Sequence, residues 1–407
     1  MTSSTSAHPS RLLPRCGYVG FVLIGWNAVL LPSLIRSIEH QFRQSDAAFG
    51  LLYFTASLVY ACGAFSGGFL TERLGRRAVL CAGVLALGAG LGGEGIAPSW
   101  VALVAALVPA SWGGGVIDGG VNALFLDLYR DARAGALNLL HAFFSLGALI
   151  SPFVVGQLIT AGVPWRLILL GTGVCALPLA GLLAVVGMPS GRHDRRARAM
   201  VRGDAAEQSL LPFAGLALGI GLYVAAEVAV SNWLVKLLVA VPVATATGFL
   251  SVFWAGLALG RLLSNRLAER VDYYAFTVGC IVLASLALLG AVFAPWLPLA
   301  GALFGLTGVF FGPIYPMIMA LGGNIYPRRL AALSGGLAAA AVAGSIVYPP
   351  LMGLMAARIG LRAGMAGAAL LGIPMALALL GARAAARRAT AARQATLETA
   401  GTRGAGR

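Results

Sequence analysis

Two carboxylates stand alone in stretches that are otherwise apolar. Asp118 lies in Gly113-Gly-Gly-Val-Ile-Asp118-Gly-Gly-Val-Asn122, and Glu227 lies in Tyr223-Val-Ala-Ala-Glu227-Val-Ala-Val-Ser231-Asn232-Trp233. In hydrocarbon such a charge costs roughly 2.5 to 3.5 kcal/mol on insertion scales unless it is paired or faces a water-filled cavity, so it marks a path for a solute or an ion. A spacing of four puts Asp118 and Asn122 on one helix face, and does the same for Tyr223, Glu227 and Ser231. Asp118, with glycines clearing space around it, is suited to binding and releasing a proton. The ring, carboxylate and hydroxyl of the second set suit a hydroxylated solute, with Asn232 and Trp233 close behind. His141 shares a face with Asn138 and Ser145 and is placed to relay a proton to Asp118. Asn27, beside Trp26, is a further solute contact by the same reasoning. Each residue also has a plainer reading: Asp118 and His141 as bonds to a neighbouring helix, the glycines as close packing, Tyr223 and Trp233 as core. Glu94 falls near the outer end of its run and is expected to reach water.

The elements that must position these groups are helices dissolved in lipid. Apolar residues form 59% of the 407 and charged ones 11%, too few charges to coat a soluble domain of this length. The apolar runs are near 15–37, 47–70, 78–97, 100–128, 134–160, 166–187, 211–238, 243–265, 275–294, 297–321, 331–357 and 363–382. Runs of about twenty residues match a helix crossing roughly 30 Å of hydrocarbon, whereas barrel strands are half as long. The first run is too long for a signal peptide and no small-residue cleavage site follows it, so it is expected to remain attached.

Positive charge alternates between the gaps. Of 29 lysines and arginines, 23 fall in one alternating set of gaps and tails, and six, Arg36, Arg43, Arg166, Lys236, Arg358 and Arg362, fall in the other. Lysine and arginine excess marks the cytoplasmic face, which predicts a multi-pass protein of the inner cell membrane with both termini in the cytoplasm. The net charge of +15 is spread over short loops and tails, pointing to lipid headgroups as partners and not to nucleic acid. The five cysteines lie within spans without metal-type spacing. No phosphate-cradling loop, paired metal ligands or nucleophile with a base is present, so neither an enzyme nor a cofactor or metal is expected, and a proton gradient is the energy source anticipated. A functional monomer is expected.

The polar stretch 190–209 separates an N-terminal half, 1–189, from a C-terminal half, 210–382, followed by a basic tail, 383–407, expected to be a mobile end near the inner leaflet. The halves echo one another: residues 61–73 align with 258–270 at an offset of 197, superposing Gly63 on Gly260, Glu72 on Glu269 and Arg73 on Arg270. Two parallel six-span repeats are implied. Prolines in spans 5, 10 and 11, at Pro152, Pro313, Pro316, Pro349 and Pro350, are candidates for bends.

The stretch Gly68-Phe-Leu-Thr-Glu72-Arg73-Leu-Gly75-Arg76-Arg77 resembles the loop motif of the major facilitator superfamily, with Glu72 where aspartate is usual, and the second copy loses the glycine and arginines after Arg270. The resemblance implies an all-α membrane protein of twelve transmembrane helices in two pseudo-symmetric six-helix bundles. It also implies an inner latch in which Glu72, near the amino end of span 11, meets Arg130 or Arg133. Three further stretches, Asn138 to Pro152, Tyr223 to Trp233 and Gly312-Pro313-Ile-Tyr315-Pro316, are similar to the branch containing fucose, galactose and glucose proton symporters. That resemblance implies secondary active transport of a small polar, sugar-like solute by alternating access with proton symport. Gly147 to Gly156 around Pro152 is also similar, imperfectly, to the glycine-proline pattern of antiporters. Proton-driven export of a small organic compound is therefore the alternative, and a non-transporting sensor or scaffold is an alternative of another class.

Overall fold

The structure is a computed structural model that describes residues 12–129, 133–188, 210–267, 271–326 and 330–404, with some side chains in these ranges, those of Glu72, Arg133 and residues 392–404 among them, outside the description. Its helices are α1 (Leu12–Ala28), α2 (Leu30–Phe42), α3 (Asp46–Leu74), α4 (Arg76–Ile96), α5 (Trp100–Leu128), α6 (Arg133–Thr160), α7 (Trp165–Val185), α8 (Leu211–Leu237), α9 (Val243–Leu267), α10 (Tyr273–Val292), α11 (Leu297–Phe311), α12 (Ile314–Ile325), α13 (Leu330–Ile359), α14 (Leu361–Leu370) and α15 (Gly372–Gly404). Among the described residues twelve stretches are long and apolar enough to cross a membrane. They are the twelve expected, with ends shifted by a few residues; the first runs from Leu12 to Phe42.

Three crossings are interrupted: α1 with α2, α11 with α12, and α14 with α15. Each break lies four residues before a proline. Pro32 has no N–H to offer the carbonyl of Ala28, Pro316 none for Gly312, and Pro374 none for Leu370, where α14 ends. Of the expected bends, the one in span 10 is therefore an open break, whereas α6 and α13 run unbroken through Pro152 and through Pro349 and Pro350. Other boundaries are set by caps: Ser45 Oγ accepts from the Ala48 N–H, Ser99 Oγ from Ala102, and Asp272 from Ala275. Gly75, at φ 83°, makes the tight corner between α3 and α4 that a side chain would oppose.

In the N-terminal half α4 lies between α5 and α7, α3 packs on α5, and α1 on α6. In the C-terminal half α8 packs on α13 and α15, and α11 on α9 and α10. The halves meet along α3 with α13 and along α6 with α9, with α2 also reaching α8. Glycine sets the spacing within each half. A Cβ on Gly113 would strike the Leu87 backbone, one on Gly115 the Tyr60 carbonyl and one on Gly119 the Ala64 carbonyl, so α5 lies almost backbone to backbone with α4 and α3. This is how lipid-dissolved helices associate when no hydrophobic force draws them together. Outward, large apolar side chains such as Phe65, Val101, Val185 and Leu262 are exposed, as a lipid-facing surface requires.

Two expectations are corrected. The basic tail, expected as a mobile end without regular periodicity, is helical: α15 continues unbroken to Gly404. Residues 383–399 are rich in alanine and arginine and contain no proline or glycine, so helix propensity carries the crossing onward. Arg383 also anchors it, 3.2 Å from Asp272 and over the ring of Tyr274. Glu94, expected to reach water, is 1% exposed, with one carboxylate oxygen that has no hydrogen-bond partner among the described residues. The packing of Gly95 against the Arg166 carbonyl and Leu170 on α7 covers it. The linker 190–209 lies outside the described residues.

Candidate functional site

At mid-depth the seam between the halves gathers polar groups from six crossings. On α5, Asn122 donates through Nδ2 to Asp118 Oδ1 at 2.8 Å and to the Asp118 carbonyl at 3.0 Å. Tyr60 of α3 faces the same carboxylate, held there because Gly114 and Gly115 let α5 close onto its ring and backbone. On α8, Glu227 sits beside Tyr223 and is acted on by the guanidinium of Arg261 from α9. Arg261 reaches across the seam, its Nη1 donating to Ser145 Oγ on α6 at 3.2 Å, and it also acts on His141. Tyr315 of α12 feels Asp118, Arg261 and Glu227 together. The break at Gly312 and Pro313 puts it there: a Cβ on Gly312 would press on the Arg261 N–H, and one on Gly260 on the Val309 carbonyl.

The electrostatics are uneven. Arg261 acts on Glu227, Asp118 has only Tyr60 and Asn122 beside it, and the rest of the set is hydroxyl and imidazole. His141 is exposed although its ring meets Phe21 edge-on at 5.4 Å and Arg261 lies near, the position of a side chain bordering an accessible space inside the bundle. The Tyr223 hydroxyl is fully buried and faces both Glu227 and Arg261, yet completes no hydrogen bond of ordinary geometry with either. A buried polar group left in this way costs about 1 to 3 kcal/mol, which a ligand hydroxyl could recover. The set offers acceptors, donors and aromatic faces at once, the requirements of a neutral polyol.

The end of the bundle remote from the termini differs. Arg36 of α2 donates to the carbonyls of Val235 at 2.8 Å, Val241 at 2.7 Å and Leu238, capping the end of α8. Lys236 is pinned between Glu39, at 2.6 Å, and Asp46. Tyr53 donates to the Asn232 carbonyl at 3.3 Å and meets the Trp233 ring edge-on. The described hydrogen bonds and ion pairs that join the halves lie here, apart from that of Arg261 with Ser145.

The sequence-derived candidates therefore separate. Asp118, Asn122, Tyr223, Glu227 and His141 come together, although His141 faces Arg261 and not Asp118. Ser231, Asn232 and Trp233 do not line the cluster. Ser231 accepts the Trp254 indole N–H at 3.0 Å, and Trp233 is fully buried against Tyr53. Asn27 lies in α1 just before its break and joins none of these contacts. Arg261, Tyr60 and Tyr315 were missed. Arg261 lies inside the run 243–265 and so was visible as an intramembrane charge, but counting it with the topology-setting arginines hid it.

In the loop motif, Arg76 is 3% exposed at its side chain and pairs with Asp127 at 2.5 Å, Arg77 donates to the Val186 carbonyl at 2.8 Å, and Arg73 covers the Phe69 ring. The motif thus ties α4 to the ends of α5 and α7, through an aspartate that sequence reasoning did not single out. The side chains of Glu72 and Arg133, and residues Arg130, Glu269 and Arg270, which would form or mirror the expected latch, lie outside the described residues; Gly68 lies within α3.

The profile of the Major Facilitator Superfamily matches residues 17–253, more than half of the chain. The chain belongs to that superfamily. A sodium-dependent glucose transporter 1A from Mus musculus is 26% identical over 137 residues, 34% of this chain and 32% of that protein. A glucose/galactose transporter from Brucella abortus biovar 1 is 27% identical over 257 residues, 57% of this chain and 59% of the relative. The chain thus spans about one third to three fifths of the length of these relatives. Among solved structures, a bacterial homologue of the human lysosomal transporter Spinster in an inward-facing, occupied conformation superposes with a TM-score of 0.71 at 17% identity, covering 94% of this chain and 96% of that one. A D-xylose-proton symporter gives 0.71 at 16% identity over 90% and 95%. These likenesses establish the superfamily fold; the relatives named are transporters, not enzymes.

Proposed function

We propose that this superfamily member is a secondary transporter that carries a sugar-like solute into the cell together with protons by alternating access. The observation that carries the reading is the seam cluster, in which both midspan carboxylates, one from each half, converge with Arg261 and Tyr315. A site assembled from both halves is what a rocking carrier needs, because the motion that alternates access also makes and breaks contacts to the solute. The glucose and galactose transporters among the relatives and the xylose-proton symporter among the structures support a hydroxylated cargo. The sealed remote end corresponds to the outer side if the arginine-rich face is cytoplasmic, so the conformation described is closed to the outside.

The test is uptake by proteoliposomes containing the purified chain under an imposed inward proton gradient, with labelled D-glucose and D-galactose. The reading expects accumulation of at least one sugar above equilibrium, collapsing when a protonophore is added. Proton-stimulated loss of sugar from loaded vesicles with no uptake would support export. Absence of both with either sugar would remove the sugar reading.

A further inference from the structure

We infer that a cavity between α10, α12 and α15, at the arginine-rich end of the C-terminal half, binds the phosphodiester of an anionic phospholipid, with Arg387 as its principal cation. This goes beyond the transport reading and does not depend on which solute is carried.

The cavity measures about 370 Å³ and is lined, among the described residues, by Asp272 and Tyr274 at the start of α10, Ile325 at the end of α12, and Arg383, Ala386, Arg387 and Ala391 of α15. Its walls are held in place. Asp272 Oδ1 accepts the Ala275 N–H at 2.8 Å, its Oδ2 lies 3.2 Å from Arg383 Nη2, and that guanidinium stands 5.5 Å from the centre of the Tyr274 ring. Tyr326, next to Ile325, accepts the Phe213 N–H at 3.1 Å and fixes the end of α12 against α8. Both Asp272 oxygens are thus committed. Arg387, one turn past Arg383 on the same face, is exposed and has no ion-pair partner among the described residues. Two arginines against one aspartate leave the lining with one positive charge, the complement of the single negative charge on a phosphodiester. The Tyr274 hydroxyl is buried without a hydrogen-bond partner among the described residues, so the wall also holds an unsatisfied donor. A guanidinium fork and a phenol hydroxyl both donate to phosphate oxygens.

The face of α15 that carries Arg387 favours a lipid over a phosphate dissolved in water. Ile373, Leu377, Leu380, Ala384 and Arg387 follow at steps of four, three, four and three, which is one stripe of a helix. All five are exposed, so the stripe faces hydrocarbon first and then ends in a guanidinium at the cavity. From Leu380 to Arg387 the rise is about 10 Å. An acyl chain lying along the stripe therefore brings its headgroup to the cavity, as basic pockets between membrane helices do for anionic lipids. A zwitterionic headgroup brings no net charge to offset that of Arg387.

Native mass spectrometry of the purified full chain, titrated with phosphatidylglycerol, phosphatidylcholine of the same chain length or inorganic phosphate, compares wild type with Arg387→Gln and Arg388→Gln. The variants lose the same charge at adjacent exposed positions, and only the first borders the cavity. Wild type should retain phosphatidylglycerol roughly tenfold more tightly than phosphatidylcholine; Arg387→Gln should lose that preference and Arg388→Gln keep it within about twofold. Equal loss in both variants would reveal a diffuse attraction of the tail for anionic surfaces and overturn the site, as would equal retention of the two lipids by wild type. A complex with inorganic phosphate that excludes phosphatidylglycerol would overturn the lipid source. Because a variant can fold differently, wild type is also crosslinked in vesicles of phosphatidylglycerol bearing a photoreactive headgroup. Adducts are expected at 383–391 and at the start of α10; adducts spread evenly over the arginine-bearing loops would contradict the site. None of these readouts involves sugar, so this inference and the transport reading can fail separately.

Discussion

The remote seal and the mid-depth cluster are both built from charged residues at the seam between the halves, and they differ in how completely those charges are satisfied. At the seal, Arg36 has three carbonyl acceptors and Lys236 has two carboxylates. At the cluster, Arg261 acts on Glu227 alone of the two acids, Asp118 has only the neutral Tyr60 and Asn122, and the buried Tyr223 hydroxyl completes no hydrogen bond of ordinary geometry. A saturated network favours one arrangement of the halves, whereas an unsaturated one gains most when something binds. The first is suited to holding a conformation and the second to receiving a cargo.

That contrast can be broken first at Glu227. Glu227→Gln leaves the seal intact but removes a charged acceptor, and solute affinity should fall roughly 10- to 100-fold, given about 1.5 to 3 kcal/mol for a hydrogen bond to a charged group. Thermal-shift titration with sugar would measure it. Next, Lys236→Met or Arg36→Met should loosen the seal without touching the cluster. The population open at the remote end should rise by roughly tenfold or more, an estimate from the same energy range. Spin-label distances between the facing ends of α2 and α8 would report it; an unchanged distribution would mean that the seal does not set the conformation. Gly115→Leu should act through packing alone, forcing α3 off α5 and costing about 1 to 3 kcal/mol, read as a lower Tm in detergent. The smallest effect belongs to Ser231→Ala. Ser231 is already committed to Trp254, so sugar affinity should stay within about twofold and only roughly 0.5 to 1.5 kcal/mol of stability be lost.

Much of the architecture was legible because hydrocarbon imposes simple rules. Run length gave the crossings, and the lone acids Asp118 and Glu227 stood out as charges where charges are scarce. Two of the six basic residues on the sparse side, Arg36 and Lys236, tie the halves together. Three things escaped. Arg261 was masked because arginines near span ends ordinarily serve topology. Ser231 shared a helical stripe with Glu227, but periodicity specifies a face and not which neighbour covers it, and four residues further along α8 that neighbour is Trp254. The helical tail was missed because amphipathic patterning was sought where alanine-rich propensity was sufficient.

The central claim is that the cluster around Arg261, and not the seal, receives the solute. Sugar-induced thermal stabilisation of the purified chain, compared between wild type and Arg261→Met with D-glucose and D-galactose, tests it most directly. Stabilisation of wild type that disappears in Arg261→Met is the result expected; equal stabilisation of both proteins by the same sugar would contradict it.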